Sequence, residues 1–357
     1  MRVQAAVLRE PTGPFSVEDI DLEDPGPGEL LVRVVGAGMC HTDIGQRRHP
    51  ALPRPLVLGH EGAGVVEAVG PGVTRIRPGD HVVMSFDSCG GDCGPCAEGT
   101  PSYCDEFMVR NLSGARTDGT TGALDARGAP VGARWFGQSS FATHALATEH
   151  NVVVVDPELP LELLGPLGCG LQTGAGAVLT SLPVRAGESF AVFGTGAVGL
   201  AAVMAARVAG ASDIVAVDLH PGRRVLAAEL GATRVLDGAD PELAAALGRV
   251  HHCLDTTGVT SVMATAVAAL HTGGSCGLVA AGGGDLVLRP EALVGRSVRF
   301  ILEGDAIPRR FIPRLIALWQ QDRFPFDRLI RTYPLTDIAA AERATTDGST
   351  VKPVLIP

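Results

Sequence analysis

The chain has 357 residues, long enough for two domains with separate cores, and its 46% hydrophobic and 19% charged content is that of an ordinary soluble globular protein. A formal net charge of −10 argues against a nucleic-acid or anionic-membrane partner, since either favours a basic patch. The opening MRVQAAVLRE lacks the apolar core of a signal peptide, and no apolar run reaches the roughly 18 residues of a membrane span, so a cytoplasmic protein is expected.

Residues 3–8, 15–19 and 30–35 read as short strands, the last after the Pro25-Gly-Pro-Gly turn. Residues 56–58 and 64–69 continue the pattern, and the turn Arg77-Pro-Gly-Asp80 leads into a strand at 81–84. Frequent turns between short strands predict a β-rich, barrel-like first domain over residues 1–150. The pattern changes near Asn151. Strands at 189–193, 214–217, 234–236, 253–255 and 276–280 alternate with helices at 197–209, 223–230, 241–247 and 262–270. That alternation predicts a doubly wound parallel sheet over residues 151–294. A helix at 310–320 and a strand at 354–356 follow, and pattern alone leaves open which domain residues 295–357 join.

Four of the eight cysteines lie in Cys89-Gly-Gly-Asp-Cys93-Gly-Pro-Cys96 and Cys104. Four thiolates on one loop can close a tetrahedral zinc shell with no open position, which makes such a site structural. The alternatives are a pair of disulfides, which needs an oxidising compartment, or four unrelated buried thiols. A second set, Cys40, His60 and Cys169, could hold another zinc with its fourth position open, as a catalytic metal requires. Each of these three taken singly is equally readable as a packed core residue. Gly194-Thr-Gly-Ala-Val-Gly199 sits between a predicted strand and helix, where Gly194, Gly196 and Gly199 would let a backbone approach a dinucleotide pyrophosphate. Asp218 ends the next strand at the place for an acid on the ribose hydroxyls, and its charge disfavours a 2′-phosphate. NAD is therefore expected rather than NADP, with Arg223 and Arg224 close behind as a counterweight.

Cys40-His-Thr-Asp43, Gly59-His-Glu-Gly, the cysteine cluster, Gly168-Cys-Gly and the glycine loop, in that order, resemble the zinc-dependent medium-chain alcohol dehydrogenases over essentially the whole chain. Tyr103-Cys104, Asn111-Leu-Ser-Gly-Ala-Arg116, Phe136-Gly-Gln-Ser-Ser-Phe-Ala142 and Glu303-Gly-Asp305 resemble the bacterial aryl- (benzyl-) alcohol dehydrogenase branch. The resemblance implies a GroES-like catalytic domain, a Rossmann domain, a return of residues 295–357 to the catalytic domain, and an active site in the cleft between them. It implies two zincs per chain: a catalytic one on Cys40, His60 and Cys169, and a structural one on Cys89, Cys93, Cys96 and Cys104. It places Glu61 behind the catalytic metal, Asp43 on the second nitrogen of His60, and Thr42 at the start of a proton relay. It puts His41 and Lys352, the only lysine, at the cofactor pyrophosphate, and Phe86, Trp135 and Phe136 around the substrate.

The implied activity is reversible oxidation of a primary aryl or allylic alcohol to the aldehyde with NAD, in a homo-oligomer (dimer or tetramer). A larger natural-product or polyol alcohol is the rival substrate. A non-catalytic NAD(H)-sensing zinc protein is the rival function. The sequence departs from the family pattern at two places. Three residues, not two, separate Cys89 from Cys93, which predicts a bulged loop that still closes on its metal. Gly45 replaces the histidine that ends the relay in some relatives, and His49 is only near in sequence. His251-His252-Cys253 and Cys276 are expected to be packing residues of the second domain, and the acidic run at 18–24 a solvated face.

Overall fold

In the first strand, Arg2–Leu8, Val3 and Ala5 are buried between exposed Arg2 and Gln4, and from Ala6 onward both faces are covered. This is the pattern of a strand that enters a closed barrel. The computed structural model, which describes residues 1–47, 52 and 54–357, shows that barrel. Arg2–Leu8 is followed around it by Phe15–Leu22, Gly122–Leu124, Pro130–Gly132 and Leu56–Val57. A seven-stranded sheet shares the same core. Its order is Val152–Val155, His81–Met84, Glu61–Val69, Glu29–Gly38, Lys352–Ile356 and Ile330–Pro334, with His144–Thr148 also on Glu29–Gly38. Together these make a unit of Met1–Cys169, Ile307–Pro313 and Asp327–Pro357.

The other unit comprises Gly170–Ala306 and Arg314–Phe326. Its six strands run in the order Arg234–Asp237, Asp213–Asp218, Ser189–Phe193, Val250–Asp255, Leu270–Leu278 and Ser297–Phe300, and every pairing is parallel. Ser189–Phe193 is buried along its whole length, as expected for a central parallel strand covered on both faces. The strand order reverses beside it, between Ser189–Phe193 and Val250–Asp255, the switch point where doubly wound sheets bind ligands. Among the described residues no helix is long and apolar enough to cross a membrane.

The division between units differs from the one that sequence texture suggests. Val152–Val155 pairs antiparallel with His81–Met84, so the chain stays in the first unit until Cys169. Ser297–Phe300 extends the parallel sheet beside Leu270–Leu278, so the return to the first unit does not begin at 295. A short apolar run reads alike in either sheet, because periodicity carries no information about its partner.

The Gly194 turn leaves the central strand at φ +89, in the region that favours glycine. A Cβ on Gly199 would collide with the carbonyl oxygen of Gly194, so helix Ala197–Ala209 approaches the strand end as closely as a bare backbone allows. Gly199→Ala is expected to destabilise the protein by about 1–3 kcal/mol through overpacking, read as a lower denaturation midpoint at unchanged m-value.

Candidate active site

Cys40 precedes the short helix His41–Gln46, whose start is fixed by Asp43 Oδ2 accepting the Cys40 backbone N–H at 3.2 Å. That hydrogen bond satisfies an otherwise orphan helix donor and turns the Asp43 carboxylate inward. His60 and Glu61 stand where strand Glu61–Val69 begins, and Cys169 follows the turn Gly165–Gly168. These three elements bring one donor atom each from Cys40, His60, Glu61 and Cys169 to within 4.8 Å of one another. His60 Nδ1 donates to Asp43 Oδ1 at 2.8 Å, which leaves Nε2 as the ring nitrogen turned away from that carboxylate. Nε2 is buried and has no hydrogen-bond partner. An orphaned imidazole nitrogen among two thiols and a carboxyl is a donor set that fits zinc.

Electrostatics agree with a cation site. The Cys40 thiol is held well below its ordinary range, chiefly by its hydrogen bond with Cys169, against burial and with help from His60. Burial works against a charged His60, but Asp43 and Cys40 outweigh it and hold the ring well above the usual imidazole range. Burial pushes the Glu61 carboxyl up, and Lys352 pulls in the opposite direction. Thr42 is half-buried, with Oγ1 3.8 Å from Cys40 Sγ.

Cys89, Cys93, Cys96 and Cys104 form the second cluster, again with their sulfurs within 4.8 Å of one another and no disulfide. The extra residue is taken up by Gly90 at φ +76 and Gly91 at φ +130. This is the bulge the longer spacing calls for, and Cys89 Sγ still comes to 3.3 Å from Cys93 Sγ. Burial opposes ionisation of Cys89, but the Gly91 N–H and neighbouring thiols bring it down to about 6.

In the other unit, Asp218 Oδ2 accepts the Thr195 N–H at 2.6 Å and the Thr195 hydroxyl at 2.8 Å. Oδ1 accepts the His220 N–H at 2.8 Å, so the acid that ends the second strand also braces the glycine loop. Burial disfavours its charge, but the His220 and Thr195 N–H groups overcome this and hold it below the usual carboxylate range. Gly196 has open space where a Cβ would be, which leaves room for a phosphate to approach.

The family described as alcohol dehydrogenase GroES-like domain matches residues 26–157, and that described as zinc-binding dehydrogenase matches residues 197–316. Geraniol dehydrogenase of Castellaniella defragrans is 48% identical over 364 residues, which cover 99% of this chain and 97% of the relative. The chain belongs to the zinc-dependent medium-chain alcohol dehydrogenases. An alcohol dehydrogenase zinc-binding domain protein from Burkholderia ambifaria superposes with a TM-score of 0.97 at 48% identity, covering 100% of this chain and 99% of that one. Benzyl alcohol dehydrogenase from Acinetobacter calcoaceticus gives 0.95 at 41% identity, with the same coverage.

Within this dehydrogenase, two expected site residues have other partners. Lys352, expected at the pyrophosphate, is 3% exposed and donates to Met39 O at 3.1 Å and to both Glu61 oxygens at 2.9 Å. Its three N–H groups are thereby used, and the ammonium neutralises a carboxylate of the four-donor cluster. Trp135, expected at the substrate, is fully buried with Nε1 donating to Asp43 Oδ1 at 3.0 Å. Phe136 stacks on His60, with ring centroids 4.4 Å apart, and Phe107 meets it edge-on. Phe86 is buried against Phe107. His41 is exposed at the helix start, and Arg223 is half-buried near Asp218. His49 lies outside the described residues.

Sequence reading missed Gln138. Its Nε2 donates to His60 O at 3.0 Å and Ser85 O at 3.1 Å, while Oε1 accepts the Gly62 N–H at 3.0 Å. Its place in Phe136-Gly-Gln-Ser-Ser-Phe-Ala142 is the sequence signal it offers, and a primary amide is retained inside a core when it has backbone groups to satisfy. The histidine pair is structural: His252 binds Ser275 and Glu188, and His251 binds Ser189. Cys276 is buried, its thiol pushed up to about 12 by burial.

Proposed function

We propose that the enzyme reversibly oxidises primary aryl or allylic alcohols to aldehydes with NAD. The observation that carries this reading is the convergence of Cys40, Cys169 and the orphaned Nε2 of His60. These three residues would hold the catalytic zinc, and the four-cysteine loop a structural one. When bound, zinc supplies an electrophile that favours loss of the alcohol proton, and the nicotinamide supplies the hydride acceptor. Thr42 would take that proton. Gly45 is exposed with open space beside it, so no side chain at that position would continue the relay beyond Thr42. Asp43 fixes the His60 tautomer, and Asp218 favours the unphosphorylated ribose of NAD. Phe86 and Phe136 give the surroundings of His60 an aromatic character suited to an aryl or allylic group, and the relatives named for geraniol and benzyl alcohol support that class.

The test is a panel of benzylic, allylic, aliphatic and polyol alcohols followed at the NADH absorbance band, with NAD and NADP compared and metal counted. The expected result is turnover of the first two classes, preference for NAD, and two zincs per chain. Preference for NADP would overturn the reading of Asp218. Absence of turnover in a zinc-replete preparation would favour a dinucleotide sensor.

A further inference from the structure

The geometry points to Trp135 as a positioning residue of the metal site, acting through Asp43 by its indole N–H. The inference rests on the reading that Cys40, His60 and Cys169 hold a metal. Asp43 is fully buried, and its Oδ1 accepts three hydrogen bonds: from Gly59 N at 3.1 Å, His60 Nδ1 at 2.8 Å and Trp135 Nε1 at 3.0 Å. Oδ2 takes the Cys40 N–H. The carboxylate therefore ties two metal donors together, one by its ring and one by its backbone. Three of its four partners belong to those donors or their immediate neighbours. The fourth, Trp135, comes from 92 residues away and is the one that fixes the carboxylate from outside the ligand segments.

The turn that carries Trp135 is built to hold it there. The Trp135 N–H donates to Ser139 Oγ at 2.8 Å, and Ser139 Oγ donates onward to Val57 O at 2.7 Å. Phe136 and Ser139 both lie at φ 51, a conformation that strains a non-glycine residue and persists only where surroundings over-determine it. Here they do. Asn151 Nδ2 holds Phe136 O and Gly137 O, and Gln138 clasps His60 O and the Gly62 N–H. The strained turn delivers one aromatic to the face of His60 and the other to the acid that orients it. A buried indole in a plain core also finds an acceptor for its N–H. What sets this one apart is that its acceptor already serves two metal donors.

The test removes the N–H while keeping the ring shape. In a Trp319→Phe background Trp135 is the only tryptophan, so biosynthetic replacement by benzothienylalanine, with sulfur in place of N–H, alters this position alone. Trp135→Phe serves as a second variant. Zinc-loaded protein is mixed with a chromogenic chelator and the two release phases are followed, with the four-cysteine site as internal reference. The expected result is release from the His60 site about 10-fold faster or more, the scale of a lost partner behind a metal ligand, with the reference phase unchanged. Cobalt-loaded protein should show a shifted visible spectrum from the same site. An unchanged release rate with a lowered melting temperature of the metal-free protein would mean that Trp135 only packs, and would overturn the inference alone. If the parent protein releases metal only from the four-cysteine loop, the metal-site reading fails as well.

Discussion

Cys169→Ala is expected to lower kcat by at least about 10³-fold, since it removes a ligand of the electrophile on which charge stabilisation depends. Dinucleotide affinity should be essentially unchanged. Cys169 Sγ is one of the four converging donors, and it is the main reason that the Cys40 thiol is held low. Its loss therefore removes one thiolate and weakens the other. Glu61 is near enough to step in, but both its oxygens are engaged by Lys352 at 2.9 Å. The glycine loop has its own supports in Thr195, Asp218 and His220, none of which involves Cys169. Steady-state NADH formation gives the first quantity and fluorescence titration with NADH the second. Turnover within tenfold of the parent would remove Cys169 from the ligand set.

Five of the six strands of the parallel sheet were legible because they are apolar runs alternating with helices, whereas Ser297–Phe300 follows no such helix pattern. Predicted strands at 189–193, 214–217, 234–236 and 253–255 lie within or on the observed Ser189–Phe193, Asp213–Asp218, Arg234–Asp237 and Val250–Asp255. The cysteine loop was legible because its donors are close in sequence. Cys40, His60 and Cys169 are spread over the first unit, so their residue types suggest a set and the resemblance orders it, but no local spacing joins them; the fold then shows their donor atoms converging. What stayed hidden are pairings between distant residues. Trp135 meets Asp43 across 92 positions, and Lys352 meets Glu61 across 291. Neither hydropathy period nor local motif encodes such a pair, so the resemblance to the family is all that places the tryptophan at the substrate and the lysine at the pyrophosphate.

Lys352→Met is expected to destabilise the metal-free protein by about 3–5 kcal/mol, the usual result of removing one partner of a buried ion pair. Methionine nearly fills the volume of lysine, so the loss isolates the charge. Glu61 is fully buried, and without the ammonium its carboxylate has lost the cation that offsets its desolvation, while Met39 O loses its donor. The prediction has a control that separates charge from packing. Glu61→Gln combined with Lys352→Met removes both charges, and a buried pair replaced on both sides is close to neutral in stability. The double variant should therefore be more stable than Lys352→Met alone, a non-additivity that reports the pair itself. Urea unfolding midpoints of the parent, both single variants and the double, all stripped of metal, complete the cycle. If Lys352→Met lies within about 1 kcal/mol of the parent, the ammonium contributes no more than an exposed ion pair would. The chain otherwise uses arginine for its cations, and a compact ammonium fits here for a physical reason. Three N–H groups on one atom match three acceptors that converge on a point, whereas a planar guanidinium spreads its five.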